Sequence, residues 1–416
     1  MVPWPTHLVN SPQRAAARAL PGDTRSRTLR AVENCDVLVI GGGAAGAAAA
    51  LAAATAGVRV VLVRRGPGAT ALASGSWSAE PPRSLRDALA RAGLELDPCN
   101  GPLPHPRGTI VSCAFAAASH VRGTLTRKKT LVCGIAGLPT FRAKPLAALW
   151  ADAAAIDPAL LVPLTPTLAD TPAAGWSPVS LAAALERDPA RLARPLAEAA
   201  RTHGADRAIV PAVLGLDDHA RVLRDVEAGA GVEVGEALGD VPSVPGHRLD
   251  RALTRALAAA GVREVRGNVI GGTFESGSLT QVVVDRPEGR LSIGARAFVL
   301  ATGKFLGGGI SARDEYAEDA LGLDVSIERF ASTIDDPAAS LMLTDPVRTE
   351  PQAVLATGVR TDDDGRPLTA AGDVHAVNVF TAGSVRAGTE TAALGLAQAA
   401  RDGHDAGERA ARHAAR

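Results

Sequence analysis

Aromatic side chains are scarce in this chain, with one Tyr, four Trp and seven Phe in 416 residues. Alanine is abundant instead, which reads as a compositional bias, since Ala fills helix surfaces and cores alike. There is no surplus of either charge: Lys+Arg and Asp+Glu both number 44. A basic excess that would hold nucleic acid or an anionic membrane surface is thus absent. The four cysteines, Cys35, Cys99, Cys113 and Cys133, contain no C-x-x-C pair. That spacing argues against an iron–sulfur cluster or zinc site built from this chain alone and fits reduced thiols in a cytoplasmic protein. None of the nine histidines stands at metal-ligand spacing. Residues Met1–Glu33 lack the apolar core of a signal peptide and read as a poorly ordered tail. The charge-free stretch Val37–Val58 holds three consecutive glycines and is mostly Ala, so a strand, a turn and a helix explain it better than a membrane span.

A hydrophobic content of 46% marks a globular chain, and its length suggests two or three folding units. Asp36–Ile40 is a short apolar run rich in β-branched residues, the pattern of a buried parallel strand. The glycine turn follows, then the Ala-dominated helix Ala44–Ala56 closed by Gly57, then a second buried strand at Val58–Val63. Together these make a βαβ unit. The middle of the chain, from about Glu80 to Pro245, gives weaker signals. Thr130–Ile135 and Arg207–Pro211 read as strands, Lys144–Ala155 as a helix, and Pro158–Pro178 as loop. Beyond it, Arg248–Ala260 is an amphipathic helix with Leu249, Leu253 and Leu257 at four-residue spacing. Two β runs flank a turn at Glu275-Ser276-Gly277, Ala297–Ala301 is a further buried strand, and Val377–Ala382 is the last before a terminal helix.

The chemistry-bearing segment is Gly41-Gly42-Gly43-Ala44-Ala45-Gly46. Gly41 permits the tight turn, Gly43 lets backbone approach a phosphate, Gly46 lets the helix pack on the strand, and the helix N-terminus faces the anion. A G-x-G-x-x-G alone is weak evidence, but here it lies between strand and helix inside a βαβ unit, as its mechanism requires. Two more small-residue turns follow: Ala301-Thr302-Gly303 and Thr381-Ala382-Gly383-Ser384, each at a strand end where backbone can pass close to a cofactor. Each alone reads as an ordinary strand end; their order along the chain carries the signal.

That order resembles the FAD-linked two-dinucleotide-binding oxidoreductases. Within them the chain is similar to the B subunits of anaerobic glycerol-3-phosphate dehydrogenases. The resemblance rests on Val39–Gly43, on Arg65-Gly66 with Ser74-Gly75-Ser76, and on Lys129–Leu138. It continues through Pro211 with Gly215-Leu216, Pro242–Gly246, Gly307–Gly309, Leu321–Val325 and Gly383–Val385. It implies a Rossmann-like α/β flavoprotein with residues 34–79, 246–310 and 369–416 as a discontinuous flavin-binding domain. Residues 80–245 and 311–368 would form an inserted domain on the substrate or subunit side. It also implies a flavin, FMN or FAD, held by Gly41, Gly42, Gly43, Ala44, Ala45, Gly46, Arg64, Arg65, Ser74, Gly75, Ser76, Thr302, Gly303, Gly383 and Ser384. The implied partners are a catalytic A-type flavoprotein subunit and an iron–sulfur C-type subunit, passing electrons from glycerol 3-phosphate to quinone. Membrane contact would come only through those partners.

Two positions depart from the wider flavoprotein pattern. Where an acid commonly holds the adenosine ribose the chain has Arg64, and in the last turn it has Ser384 rather than Asp. The absent ribose acid is compatible with FMN, with FAD held by other contacts, or with loss of the flavin. Lys304, Arg248, Arg313 and Arg386 read first as solvated charges and second as anion binders. His247 reads as a structural histidine, and no catalytic acid–base pair is evident. The alternative functions are a free-standing flavin dehydrogenase and a flavin-less scaffold subunit.

Overall fold

A computed structural model describes residues 30–312, 316–327, 332–333, 353–388 and 391–416. Most of the expected N-terminal tail, and Arg313, lie outside the described residues. Strand β1 (Arg30–Ile40), helix α1 (Ala44–Thr55) and strand β2 (Val60–Arg64) come first. A second series follows: β3 (Thr130–Cys133), α2 (Ala143–Ala153), β4 (Leu161–Leu164), α3 (Pro178–Arg187), α4 (Ala190–His203), β5 (Arg207–Val210), α5 (His219–Ala230) and β6 (Glu233–Glu236). The chain then returns through α6 (Val244–Ala259), β7 (Arg263–Arg266), β8 (Asn268–Glu275), β9 (Ser278–Asp285), β10 (Leu291–Leu300), β11 (Val379–Thr381) and α7 (Thr391–Ala414).

The first sheet places β7, β2, β1, β10 and β11 side by side, every pair parallel. Strand β10 changes neighbour along its length: its N-terminal half pairs antiparallel with β9, its C-terminal half parallel with β11. Strand β1 begins at Arg30, earlier than its apolar run, because its first half pairs with the same early part of β10. One face of the sheet is covered by α1, α6 and α7. Here the alanine content acquires a structural cause. Ala47, Ala49 and Ala53 of α1 are fully buried in one core with Ala400, Ala406 and Ala410 of α7. The two helices approach so closely that a Cβ on Gly403 would sit 2.0 Å from the carbonyl oxygen of Ala45. Larger side chains along this seam would overpack it.

The second sheet is parallel throughout, in the order β6-β5-β3-β4. Its strands open a doubly wound pattern, with β4 on one side of β3 and β5 then β6 on the other. It has its own core, in which Leu131, Val132, Trp150, Leu181, Leu196, Ile209 and Val222 are buried together. Strand β4 falls inside the stretch expected to be loop; it carries Pro163, which an edge strand tolerates because one side of its backbone has no partner.

A buried ion pair joins the two sheets. Arg248, on α6, donates to both carboxylate oxygens of Glu236, the last residue of β6, at 2.6 and 2.9 Å, and to the Gly215 carbonyl at 2.9 Å. Glu236 also accepts from the Ser119 hydroxyl at 2.8 Å and the Leu214 amide at 2.7 Å. Burial pushes this carboxyl up, but the Arg248 charge and hydrogen bonds outweigh burial and hold it down at about 2. The expectation that Arg248 is a solvated charge is therefore corrected: it is 3% exposed and fully paired. Lys304 is also buried rather than solvated, donating to the Leu355 carbonyl. Arg386 is half-buried, reaching Thr361 at 3.3 Å and Asp402 at 3.7 Å.

Candidate functional site

The C-terminal ends of the five parallel strands of the first sheet open into a cavity of about 550 Å³, within the range of small-molecule sites. Its floor is the glycine turn. Gly41 leaves β1 with φ +111, a conformation that favours glycine, and a Cβ there would lie 2.2 Å from the Ala301 carbonyl oxygen. Gly46 sits with its Cα against the Gly41 carbonyl, where a Cβ would fall at 1.8 Å. The turn thus brings β1, α1 and β10 closer than side chains permit. Gly43 ends the turn as the N-cap of α1 without a side-chain capping bond. In the first helical turn the amides of Ala45 and Gly46 have no intrahelical acceptor and are the donors a phosphate would engage, while that of Ala44 is taken by the Thr70 hydroxyl.

The cavity is lined at every strand end. Gly267 and Asn268 follow β7; Arg64, Arg65 and Gly66 follow β2; Gly41–Ala45 follow β1; Ala301–Gly303 follow β10; Ala382 and Ser384 follow β11. Adjacent strands lie about 4.8 Å apart, so five strand ends span about 19 Å. The glycine turn is at the middle of this row, with two strand ends on either side. A site of this layout fits a dinucleotide whose pyrophosphate sits over the turn, one nucleoside extending each way. A mononucleotide ends at its phosphate and would leave the β2–β7 half of the row unused.

Two features fit a bound polar ligand. Thr302 lines the cavity, and its hydroxyl is buried with no hydrogen-bond partner among the described residues. A buried hydroxyl without a partner is costly, and a ligand atom at this wall would satisfy it. The Thr70 hydroxyl accepts from the Ala44 amide at 2.9 Å and so fixes the entry to α1. Sequence reasoning missed Thr70, because the contact is made from a short turn (Gly68–Leu72) well along the chain. Cavity-lining Gly395, Leu396, Gln398 and Ala399 of α7 were likewise not foreseen. The single carboxylate among the described lining residues is Asp319, which accepts from the Ser311 hydroxyl at 2.8 Å.

Arg64, which stands where a ribose-binding acid is common, is not a free cation. Its guanidinium is 7% exposed and meets Asp250 and Glu264 at 2.9 Å each, with a further 2.9 Å bond to the Thr254 hydroxyl. Its stem passes under the turn, where a Cβ on Gly42 would lie 2.3 Å from Arg64 Cδ. Arg65 is exposed, lines the cavity, and has no ion-pair partner among the described residues. Of the other expected site residues, Ser74, Gly75 and Ser76 are not among those lining the cavity. The Ser74 carbonyl accepts from Gly239 at 2.8 Å, and Gly75, at φ +102, lies against the His120 ring. This segment passes from the cavity wall into the junction with the second sheet. Gly383 stands behind the lining, its Cα facing Ala45 of α1. His247 is half-buried and outside the lining.

Among the described residues no group of three or more His, Cys, Asp or Glu is arranged to hold a metal, and no helix is long and apolar enough to cross a membrane.

The chain is similar to several known proteins. The B subunit of the probable anaerobic glycerol-3-phosphate dehydrogenase of Halobacterium salinarum is 36% identical over 209 residues, which cover 49% of this chain and 46% of that protein. The chain thus spans about half the length of this relative. The B subunit of the anaerobic glycerol-3-phosphate dehydrogenase of Yersinia pseudotuberculosis is 26% identical over 409 residues, covering 85% of this chain and 92% of its own. Among solved structures, the 3-ketosteroid-delta4-(5alpha)-dehydrogenase of Rhodococcus jostii aligns with 92% of this chain and 97% of its own, at 14% identity and a TM-score of 0.38. The model of the FAD binding domain family matches residues 36–87 and 181–396, more than half of the chain. The chain belongs to the FAD binding domain family.

Proposed function

We propose that this chain is the flavin-carrying electron-transfer subunit of an anaerobic-type glycerol-3-phosphate dehydrogenase. The observation that carries the flavin part is the cavity itself: a glycine turn centred under a row of five strand ends, long enough for a dinucleotide. FAD is the flavin of that length, and the family supports it. When bound, the flavin supplies two-electron acceptance and onward transfer. The chain's own residues bind and orient it. Amides of the Gly41–Gly46 turn hold the pyrophosphate, and Arg65 adds a positive charge at the rim. Thr302, Gly303 and Ser384 line the half on the β10–β11 side; Gly267 and Asn268 line the half beyond Arg64. Glycerol 3-phosphate as substrate and a place in a multi-subunit assembly are supported by the names of the similar B subunits; an A-type flavoprotein and an iron–sulfur C-type subunit as the partners, and contact with a membrane through them, complete the proposal.

The test is dye-linked oxidation of glycerol 3-phosphate by the flavin-loaded chain, alone and after co-expression with its genomic neighbours. Turnover that needs a neighbouring flavoprotein is the expected result. Robust turnover by the isolated chain would overturn the subunit reading and favour a free-standing dehydrogenase.

A further inference from the structure

Cys99 and Cys113 sit at the two ends of an excursion that joins the sheets. Short strands Leu96–Pro98 and Phe115–Ala117 pair antiparallel, with Pro98 opposite Phe115. The ladder continues one step, the Cys99 amide donating to the Ala114 carbonyl at 2.8 Å. Cys99 and Cys113 thus lie on adjacent backbones, and their side chains enter one small apolar cluster with Leu103, Ala116 and Leu238. Cys99 is buried and Cys113 half-buried. Burial, and next the neighbouring Cys99 charge and hydrogen bond, push the Cys113 thiol up to about 12. Cys35 and Cys133 are buried in other cores, apart from this pair and from each other.

Between the two cysteines lies a hairpin, Leu103–Pro104 with Ile110–Val111. Its backbone carbonyls accept from elements of the second unit: Pro104 from the Leu238 amide at 2.9 Å and His105 from Trp150 Nε1 at 3.0 Å. Pro102 accepts from the Leu125 amide at 3.0 Å. We propose that Cys99 and Cys113 form a reversible dithiol–disulfide pair, oxidised by small disulfides, whose closure fastens this hairpin at its base and so steadies the contact between the sheets. The half-buried Cys113 reacts first. Its thiolate attacks one sulfur of the small disulfide, forming a mixed disulfide and releasing the other half as a thiol, which takes up the Cys113 proton. Cys99, deprotonated in turn, attacks Cys113 Sγ; the protein disulfide forms and the second small thiol leaves with the Cys99 proton. Two electrons pass from the protein to the small disulfide. Because the thiolate is the nucleophile, the reaction quickens as pH rises.

The experiment is incubation of the folded full chain with oxidised glutathione at increasing pH, followed by intact mass measurement and peptide mapping. The expected product has lost two hydrogens, carries a single Cys99–Cys113 crosslink and leaves Cys35 and Cys133 reduced. Its thermal unfolding midpoint rises and falls back with dithiothreitol, as expected for a closed loop. A stable glutathione adduct on Cys113 without a crosslink would overturn the proposal. So would four unreacted thiols, or a crosslink between other cysteines or between molecules. Mapping the unaltered chain keeps the test decisive even where a Cys99→Ser variant fails to fold. A folded Cys99→Ser variant is expected to stop at the mixed disulfide on Cys113.

Discussion

Replacing Gly43 by Val separates cofactor binding from folding. Gly43 has φ −74 and ψ −173, extended backbone that Val adopts readily. A Cβ there meets only the Thr70 hydroxyl, at 3.2 Å, a contact that a small shift relieves. The fold should survive. By contrast, a side chain at Gly41 would strike the Ala301 carbonyl and disturb the sheet itself. Because Gly43 lines the cavity, the added isopropyl group would stand where a phosphate must approach the turn. Losing two hydrogen bonds from backbone amides to a charged phosphate, each worth about 1.5–3 kcal/mol, removes about 3–6 kcal/mol of binding. That corresponds to a weakening of ~10²- to 10⁴-fold, enough for the flavin to be lost on purification. The assay compares the flavin-to-protein absorbance ratio of wild type and Gly43→Val, with circular dichroism to establish that the variant is folded. A folded variant that keeps its full flavin content would refute the assignment of this turn as the phosphate site.

Four further substitutions follow from the geometry. Arg65→Ala should weaken flavin retention several-fold, by about 0.5–1 kcal/mol for an exposed charge, and the loss should shrink at high salt; Arg64→Gln should instead lower stability, because it strands Asp250 and Glu264. Flavin titrations and urea midpoints distinguish the two, and equal effects on both readouts would contradict these separate roles. Arg248→Met leaves the Glu236 carboxylate buried without its cation and should cost about 3–5 kcal/mol, read as a lower urea midpoint, whereas an unchanged midpoint would show that the pair does not hold the sheets together. Burial lowers His219 to about 4 from an ordinary 6.5, so the unfolded chain binds a proton there before the folded one does. Its contribution is intact above pH 6.5 and is lost as pH falls from 6.5 to about 4, about 3 kcal/mol across that window. His219→Gln should flatten unfolding free energy against pH over that interval, and an unaltered slope would exclude His219 as its source.

Much of the first sheet was legible because its strands are continuous apolar runs and its turns are marked by glycine. The βαβ unit, the hairpin about Ser276 and the last strand all form close to where the pattern put them. Helix α6 begins four residues before Arg248 because Ser243 caps it, its hydroxyl accepting from the Gly246 amide at 2.9 Å; a Ser followed by Pro245 in the first turn was the available signal. The second sheet was harder to read. Its strands are only four residues each, and β4 contains a proline that marks loop until its place at the sheet edge is known. The site divided in the same way. Gly41, Gly43, Arg65, Thr302 and Ser384 line one cavity. Thr70, the carboxylate partners of Arg64, and the burial of Arg248 depend on contacts between segments distant in sequence, which periodicity and spacing do not encode.

The proposed occupant of the row of strand ends, with the glycine turn at its middle, is a flavin dinucleotide. That occupancy is tested most directly by purifying the chain, releasing its cofactor by denaturation, and identifying and counting it by chromatography against protein concentration. The expected result is FAD, one per chain, despite Arg64 at the ribose position. FMN in its place would contradict the use of the β2–β7 half of the cavity, and a colourless, folded protein that takes up no added FAD would contradict the site altogether.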